Sequence, residues 1–227
     1  MSPKKVLMIV TSHDHLGTTG TKTGFWLEEL AAPYLEFVRA GAEVDIASPK
    51  GGRAPADPKS EGGKNESVAA FLADPVASGK LASTLRLDAV AERYDVYFVV
   101  GGHGVMWDLA ENETLQELLS RAFDAGRVVA AVCHGSAALV NVKLANGASI
   151  VAGRRVAGFS NEEEAAVKLT EIVPFALETT LVQRGARYER GPMWGSFAVR
   201  DGLLVTGQNP ASSAAVAREA LLALGAS

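Results

Sequence analysis

The chain has 227 residues, 48% of them hydrophobic and 21% charged, with 22 basic and 26 acidic side chains interspersed and a formal net charge of −4. That apolar content supports a substantial core, and without a basic stripe or polybasic run neither nucleic acid nor an anionic membrane is an expected partner. The single cysteine excludes an intrachain disulfide and a multi-cysteine metal cage.

The lysines before "VLMIV" imitate a secretory leader, but that apolar run is too short for one. No apolar run has membrane-spanning length, so the cytoplasm is the expected compartment. "KVLMIVTS" reads as a first strand, and the loop "TSHDHLG" follows it. His13 and His15 there are a weak metal signal, and polar loop residues are the plainer reading. "GFWLEELAAPYLEFVRAG" is an amphipathic helix that Pro33 bends and Gly41 ends. Glu29 stands near the start of its apolar face; if buried, it would have a raised pKa and could shuttle protons. "AEVDIASP" is a second strand. Residues 49–93 read as an insertion or lid beside the sheet: a loop-like half, then short helices.

"VYFVVGG" is the third strand, and "VVGGHGVMWDL" carries a glycine-rich turn beyond it. Gly102, His103 and Gly104 would let backbone N–H groups approach a ligand and hold an oxyanion; Trp107, just after, is placed to line such a site. "NETLQELLSRAFDAG" is a helix capped by Asn112, with Leu115, Leu118, Leu119, Ala122 and Phe123 on one apolar face. "RVVAAVCH" is the fourth strand. "RRVAGFS" is a possible fifth, "FAVRDGLLVTG" a hairpin about Asp201-Gly202, and "NPASSAAVAREALLALG" a final helix capped by Asn209. Continuous apolar strands alternating with helices indicate an α/β fold with a doubly wound, mostly parallel sheet. One domain over residues 1–227 accommodates all of it.

Cys133 ends the fourth strand, and "GSAALVNV" reads as the helix after it. A strand, a tight turn with the nucleophile at its apex and a helix make a nucleophile elbow, which needs small neighbours such as Ala131 and Gly135. The apex would project at the carboxyl ends of the strands, where open α/β sheets bind ligands. The following helix N-terminus would lower the cysteine pKa. A thiolate needs a base and a group that orients the base. His134 is adjacent, and Glu162, Glu163 and Glu164 in "GFSNEEEAAV" are the candidate acids. Two of those three are expected to be solvated first-turn carboxylates.

"AAVCHGSAAL", "VVGGHGVMWDL", "KTGFWLEELAAPY", "GFSNEEE" and "DGLLVTGQNPAS", in this order, resemble the ThiJ/PfpI superfamily. Within it the chain is most similar to the heat-shock chaperone-like, glutathione-independent glyoxalases, over nearly its whole length. The resemblance implies a flavodoxin-like α/β sandwich, a homodimer and an enzyme without cofactor. It implies Cys133 as nucleophile, His134 as its partner, Glu29 as the buried acid, Glu164 as the acid of the triad and Gly102 and His103 as oxyanion donors. The "DPKS" loop, Asp57 to Ser60, also looks family-like and supports a lid. Some relatives bind zinc through two histidines and a carboxylate, a set with no convincing match in the sequence. The implied reaction converts methylglyoxal to lactate through a cysteine hemithioacetal, an enediol and a thioester, without glutathione or nicotinamide. The same elbow would also serve a cysteine amidase or peptidase. A non-enzymatic alternative is a holding chaperone or redox sensor.

Overall fold

A computed structural model describes residues 3–61, 65–91 and 94–225. The strands are β1 (Lys5–Ile9), β2 (Glu43–Ser48), β3 (Leu85–Arg86), β4 (Val96–Val99), β5 (Val128–Val132), β6 (Arg155–Val156), β7 (Arg187–Tyr188), β8 (Ala198–Asp201) and β9 (Leu204–Gly207). The helices are α1 (Leu27–Arg39), α2 (Pro58–Glu61), α3 (Glu66–Ala73), α4 (Pro75–Ala82), α5 (Val105–Asp108), α6 (Glu113–Asp124), α7 (Asn161–Ala166), α8 (Leu177–Gln183) and α9 (Ser213–Gly225).

Seven strands make the main sheet in the order β3-β2-β1-β4-β5-β9-β8. All neighbours are parallel except the β8–β9 hairpin, which turns at Gly202 with φ 62°. β4 and β5 are buried along their whole length, which is why their sequences run apolar without alternation. β6 and β7 form a separate parallel pair. α1 and α9 pack on each other, and α6 packs on β5. Asn112 caps α6 by accepting from the Leu115 N–H, and Leu115, Leu118, Leu119 and Ala122 are buried beneath it. Among the described residues no helix is long and apolar enough to cross a membrane.

Residues 62–64 and 92–93 of the expected insertion lie outside the described residues. The rest differs from a lid in two respects. Its last part enters the main sheet, because β3 pairs with β2 through Ala47–Leu85 and Ser48–Arg86. Two exposed residues are too short a run to announce a strand. The "DPKS" segment is a strap: Asp57 is buried, accepts from the Thr23 hydroxyl at 2.9 Å and donates its N–H to the Phe25 carbonyl at 2.8 Å. α3 rests on α1 through Phe71, whose ring meets Tyr34 edge-on at 5.0 Å.

The sheet order reverses about β1, so the loops after β1, β4 and β5 leave the same ends of neighbouring strands. A ligand crevice belongs there in this architecture.

Candidate active site

Cys133 follows the buried end of β5 with φ 57°, a left-handed backbone that a non-glycine residue adopts only when its surroundings force it. The surroundings are tight. A Cβ on Gly135 would lie 2.5 Å from the Val99 carbonyl oxygen at the end of β4. Glycine at 135 therefore lets the elbow sit against the neighbouring strand. The turn runs on as a 3-10 helix, Cys133–Leu139, and not as the α-helix read from the sequence.

His134 is buried, with Nδ1 at 3.4 Å from the Cys133 sulfur and Nε2 at 2.7 Å from Oε2 of Glu164. His103 places its own Nε2 at 2.9 Å from Oε1 of the same carboxylate, and its ring centroid lies 4.0 Å from that of His134. Burial raises the Glu164 pKa, but His134 and His103 outweigh it and hold the carboxyl at about 2. Burial, then His103, depresses His134 to about 4 against the pull of Glu164. Near neutral pH Glu164 is thus ionised and His134 uncharged. An ionised carboxylate can only accept, so both Nε2 atoms donate to it. Nδ1 of His134 is left as a lone-pair acceptor beside the sulfur.

Glu29 is fully buried, and among the described residues neither of its carboxyl oxygens has a hydrogen-bond partner. A Cβ on Gly101 would lie 2.2 Å from its Oε2 and 3.0 Å from the Cys133 Cβ, so acid and cysteine meet over one glycine. Burial pushes Glu29 well above the usual carboxyl range; the Cys133 thiol and the Gly101 amide ease this without making a well-formed hydrogen bond. Burial, then Glu29, also pushes the Cys133 thiol well up. This reverses the lowering expected from a helix N-terminus. The turn is short, and burial among acids outweighs whatever its dipole supplies.

Gly102 takes φ 104°, and a Cβ there would lie 2.5 Å from both the Gly24 carbonyl oxygen and the Trp26 nitrogen. Among the described residues the amides of Gly102 and His103 donate to no backbone acceptor. The His103 side chain has a part the sequence reading did not give it, holding Glu164. With His134 it makes the two-histidine, one-carboxylate group that the sequence did not reveal: the ligand atoms of His103, His134 and Glu164 all lie within 4.8 Å of one another.

The three glutamates separate cleanly. Glu162 is exposed and pairs with Arg190 at 2.9 Å. Glu164 orients the histidines. Glu163, expected on the solvated side, is buried and accepts from the Trp194 N–H, Gln208 Nε2 and Asn209 Nδ2 at 2.8–3.0 Å through one oxygen. Its other oxygen takes the Ser160 N–H and hydroxyl.

Trp107 stacks on His13, centroids 5.4 Å apart at 12°, so it packs against the loop after β1; the triad is built without it. His13 Nε2 meets the His15 carbonyl, while Asp14 pairs with His15 and Lys22. Two aromatics at the site escaped the sequence reading. Phe159 packs 4.4 Å from the His134 ring, and Trp194, with φ 62° and 45% exposed, lies 5.8 Å from Phe159. The available signal for Phe159 was an aromatic three positions before the acidic run in "GFSNEEE".

Cys133 is 3% exposed, yet its neighbours are polar. Two surface cavities, about 610 and 500 Å³, lie beside α6 and between α1 and the insertion, and Cys133 lines neither.

The chain is 30% identical over 249 residues to the glutathione-independent glyoxalase HSP31 of Saccharomyces cerevisiae, covering 99% of each. It superposes on the Rapid Encystment Protein 24 kDa of Francisella tularensis with a TM-score of 0.94, at 39% identity and 97% and 99% coverage. Glyoxalase III of Candida albicans superposes at 0.88, with 27% identity and 97% of each chain covered. Residues 21–223 match the DJ-1/PfpI family, and the chain belongs to it.

Proposed function

We propose that the protein is a glutathione-independent glyoxalase that converts methylglyoxal to lactate. The observation that carries this is the Cys133 sulfur at an elbow apex, with His134 Nδ1 at 3.4 Å, the other nitrogen of that ring held by Glu164, and the fully buried Glu29 carboxyl meeting the cysteine over Gly101. The glyoxalase names of the HSP31 and glyoxalase III relatives support the same substrate.

The sulfur attacks the aldehyde carbon, and His134 Nδ1 carries the thiol proton to the carbonyl oxygen, giving a hemithioacetal. Nδ1 then removes the proton on that carbon while Glu29 protonates the neighbouring carbonyl oxygen, making an enediol; return of the first proton to the second carbon, with the hydroxyl proton of the first carbon passing to the Glu29 carboxylate, leaves a thioester of lactate. Water hydrolyses the thioester, so methylglyoxal plus water gives lactic acid and free thiol. The amides of Gly102 and His103 are the donors for the developing oxyanion. Glu29, held as the neutral acid, donates to oxygen or sulfur as charge grows there. Glu164, shared with His103, keeps His134 in the tautomer with Nδ1 free. The same reading takes the chain as one domain, acting as a cytoplasmic homodimer.

Cys133→Ser tests it. Turnover of methylglyoxal to lactate is expected to fall by at least ~100-fold. A variant that keeps most of that turnover removes the cysteine mechanism. Turnover of an amide substrate in place of methylglyoxal would move the assignment to an amidase.

A further inference from the structure

We propose that His103, His134 and Glu164 form a site for a divalent transition cation of the zinc type, and that occupancy switches the cysteine off. The site's affinity does not depend on the aldehyde chemistry; the switching rests on the reading of His134 as the base.

The donor set fits the ion. Two imidazole nitrogens and one carboxylate suit zinc, with a water completing a tetrahedron. The ligand atoms converge within 4.8 Å, and two of the contacts are already 2.7 and 2.9 Å. Bonds of about 2.0–2.1 Å to a tetrahedral ion separate neighbouring donors by roughly 3.3 Å. Admitting the cation asks the carboxylate to move from each histidine by about half an ångström, and the most widely spaced donors, within 4.8 Å of one another, to close toward the same separation. His103, on the glycine-rich turn after β4, has the most exposed side chain of the three, 14% against 8% for Glu164 and 1% for His134, and offers the way in.

The consequence follows from the two nitrogens of one ring. In the free protein Nε2 of His134 carries the proton and Nδ1 accepts from the sulfur side. A cation on Nε2 displaces that proton, and the neutral ring then holds its proton on Nδ1. Nδ1 becomes a donor toward Cys133 and can no longer take the thiol proton. The cysteine is left in place, unmodified and without its base, and removal of the cation restores the first tautomer.

Cobalt(II) and zinc(II) titrations of Cys133→Ser test the site apart from the reaction, since that variant retains all three ligands and lacks the thiol. The expected result is one equivalent bound by calorimetry, with the visible bands of tetrahedral cobalt lacking the charge-transfer feature of a thiolate ligand. His103→Gln and Glu164→Gln, checked for folding by thermal melts, should each weaken binding at least 10-fold. In the wild-type enzyme zinc should inhibit methylglyoxal turnover at the concentration that saturates the site, and a chelator should reverse it. Absence of stoichiometric binding to Cys133→Ser, or binding unchanged in folded His103→Gln, overturns the site. Binding without inhibition overturns the switch. If wild type turns over no methylglyoxal at all, the glyoxalase reading fails while the binding result stands.

Discussion

In the proposed mechanism Glu29 sets activity against stability within one side chain. Its carboxyl is fully buried, without a hydrogen-bond partner among the described residues, and its pKa is raised well above the usual range, first by burial. A carboxyl whose folded pKa is raised binds its proton more tightly in the native state. Stability therefore falls as pH rises from the unfolded carboxyl value through the folded one. Glu29→Gln removes that slope. Its melting temperature should match wild type at acid pH and equal or exceed it near neutrality, while methylglyoxal turnover drops by about 100-fold or more. Paired melts and assays across pH check both halves; a variant that melts lower near neutrality and keeps its activity contradicts the role. His134 behaves in the opposite sense. Its pKa is depressed to about 4, so stability is lost as pH falls from the ordinary histidine range toward 4. As the base of the proposed mechanism it stays neutral over that interval, and the acid limb of kcat/KM should lie near pH 4 instead of near 6.5. An acid limb at the ordinary histidine value would mean that His134 is not the base of the proposed mechanism.

At the level of elements, the elbow depends on how closely β5 and its turn approach β4. Gly135→Ala would bring a methyl group to 2.5 Å from the Val99 carbonyl oxygen, which is backbone and cannot swing aside. A loss of about 1–3 kcal/mol is expected by chemical denaturation, with lower turnover as the sulfur shifts. Unchanged stability would show that the turn tolerates wider spacing. This elbow was legible in the sequence because its signals are local: an apolar β-branched run, small residues on either side of a cysteine, and a histidine next to it. β3 was not legible, because Leu85–Arg86 is exposed and becomes a strand only by pairing with Ala47–Ser48. Nor was the raised thiol pKa, which comes first from burial and then from Glu29 arriving from α1 over Gly101, a contact separated by about a hundred residues of chain. The sharing of Glu164 by two histidines is equally non-local. A histidine among glycines, in a turn that shape alone would fill with glycine, was the one hint that residue 103 has a side-chain part to play.

Across the whole molecule, Glu163 joins elements distant in sequence. One oxygen gathers the Trp194 N–H from the loop after β7, with Gln208 and Asn209 from the end of β9, while the other closes the cap of α7 onto Ser160. Burial raises its pKa, but the bonds from Asn209, Trp194, Gln208 and Ser160 outweigh that and hold it ionised. Those partners are donors at the oxygens, so the site accepts and cannot donate. Glu163→Gln keeps shape and volume but puts an amide NH2 against N–H groups on one side or the other. A cost of about 2–4 kcal/mol is expected, since buried donors lose their acceptor and cannot regain water. α7 also carries Glu164, so the same change should loosen the Glu164 grip on His134 and reduce turnover beyond what the stability loss explains. Glu162→Gln, one residue earlier, removes only an exposed pair with Arg190 and should change stability by less than about 0.5 kcal/mol. Denaturant midpoints and turnover measured on both variants decide the matter. Equal effects at the two positions would mean that the buried cluster does not tie β9 and α7 to the site.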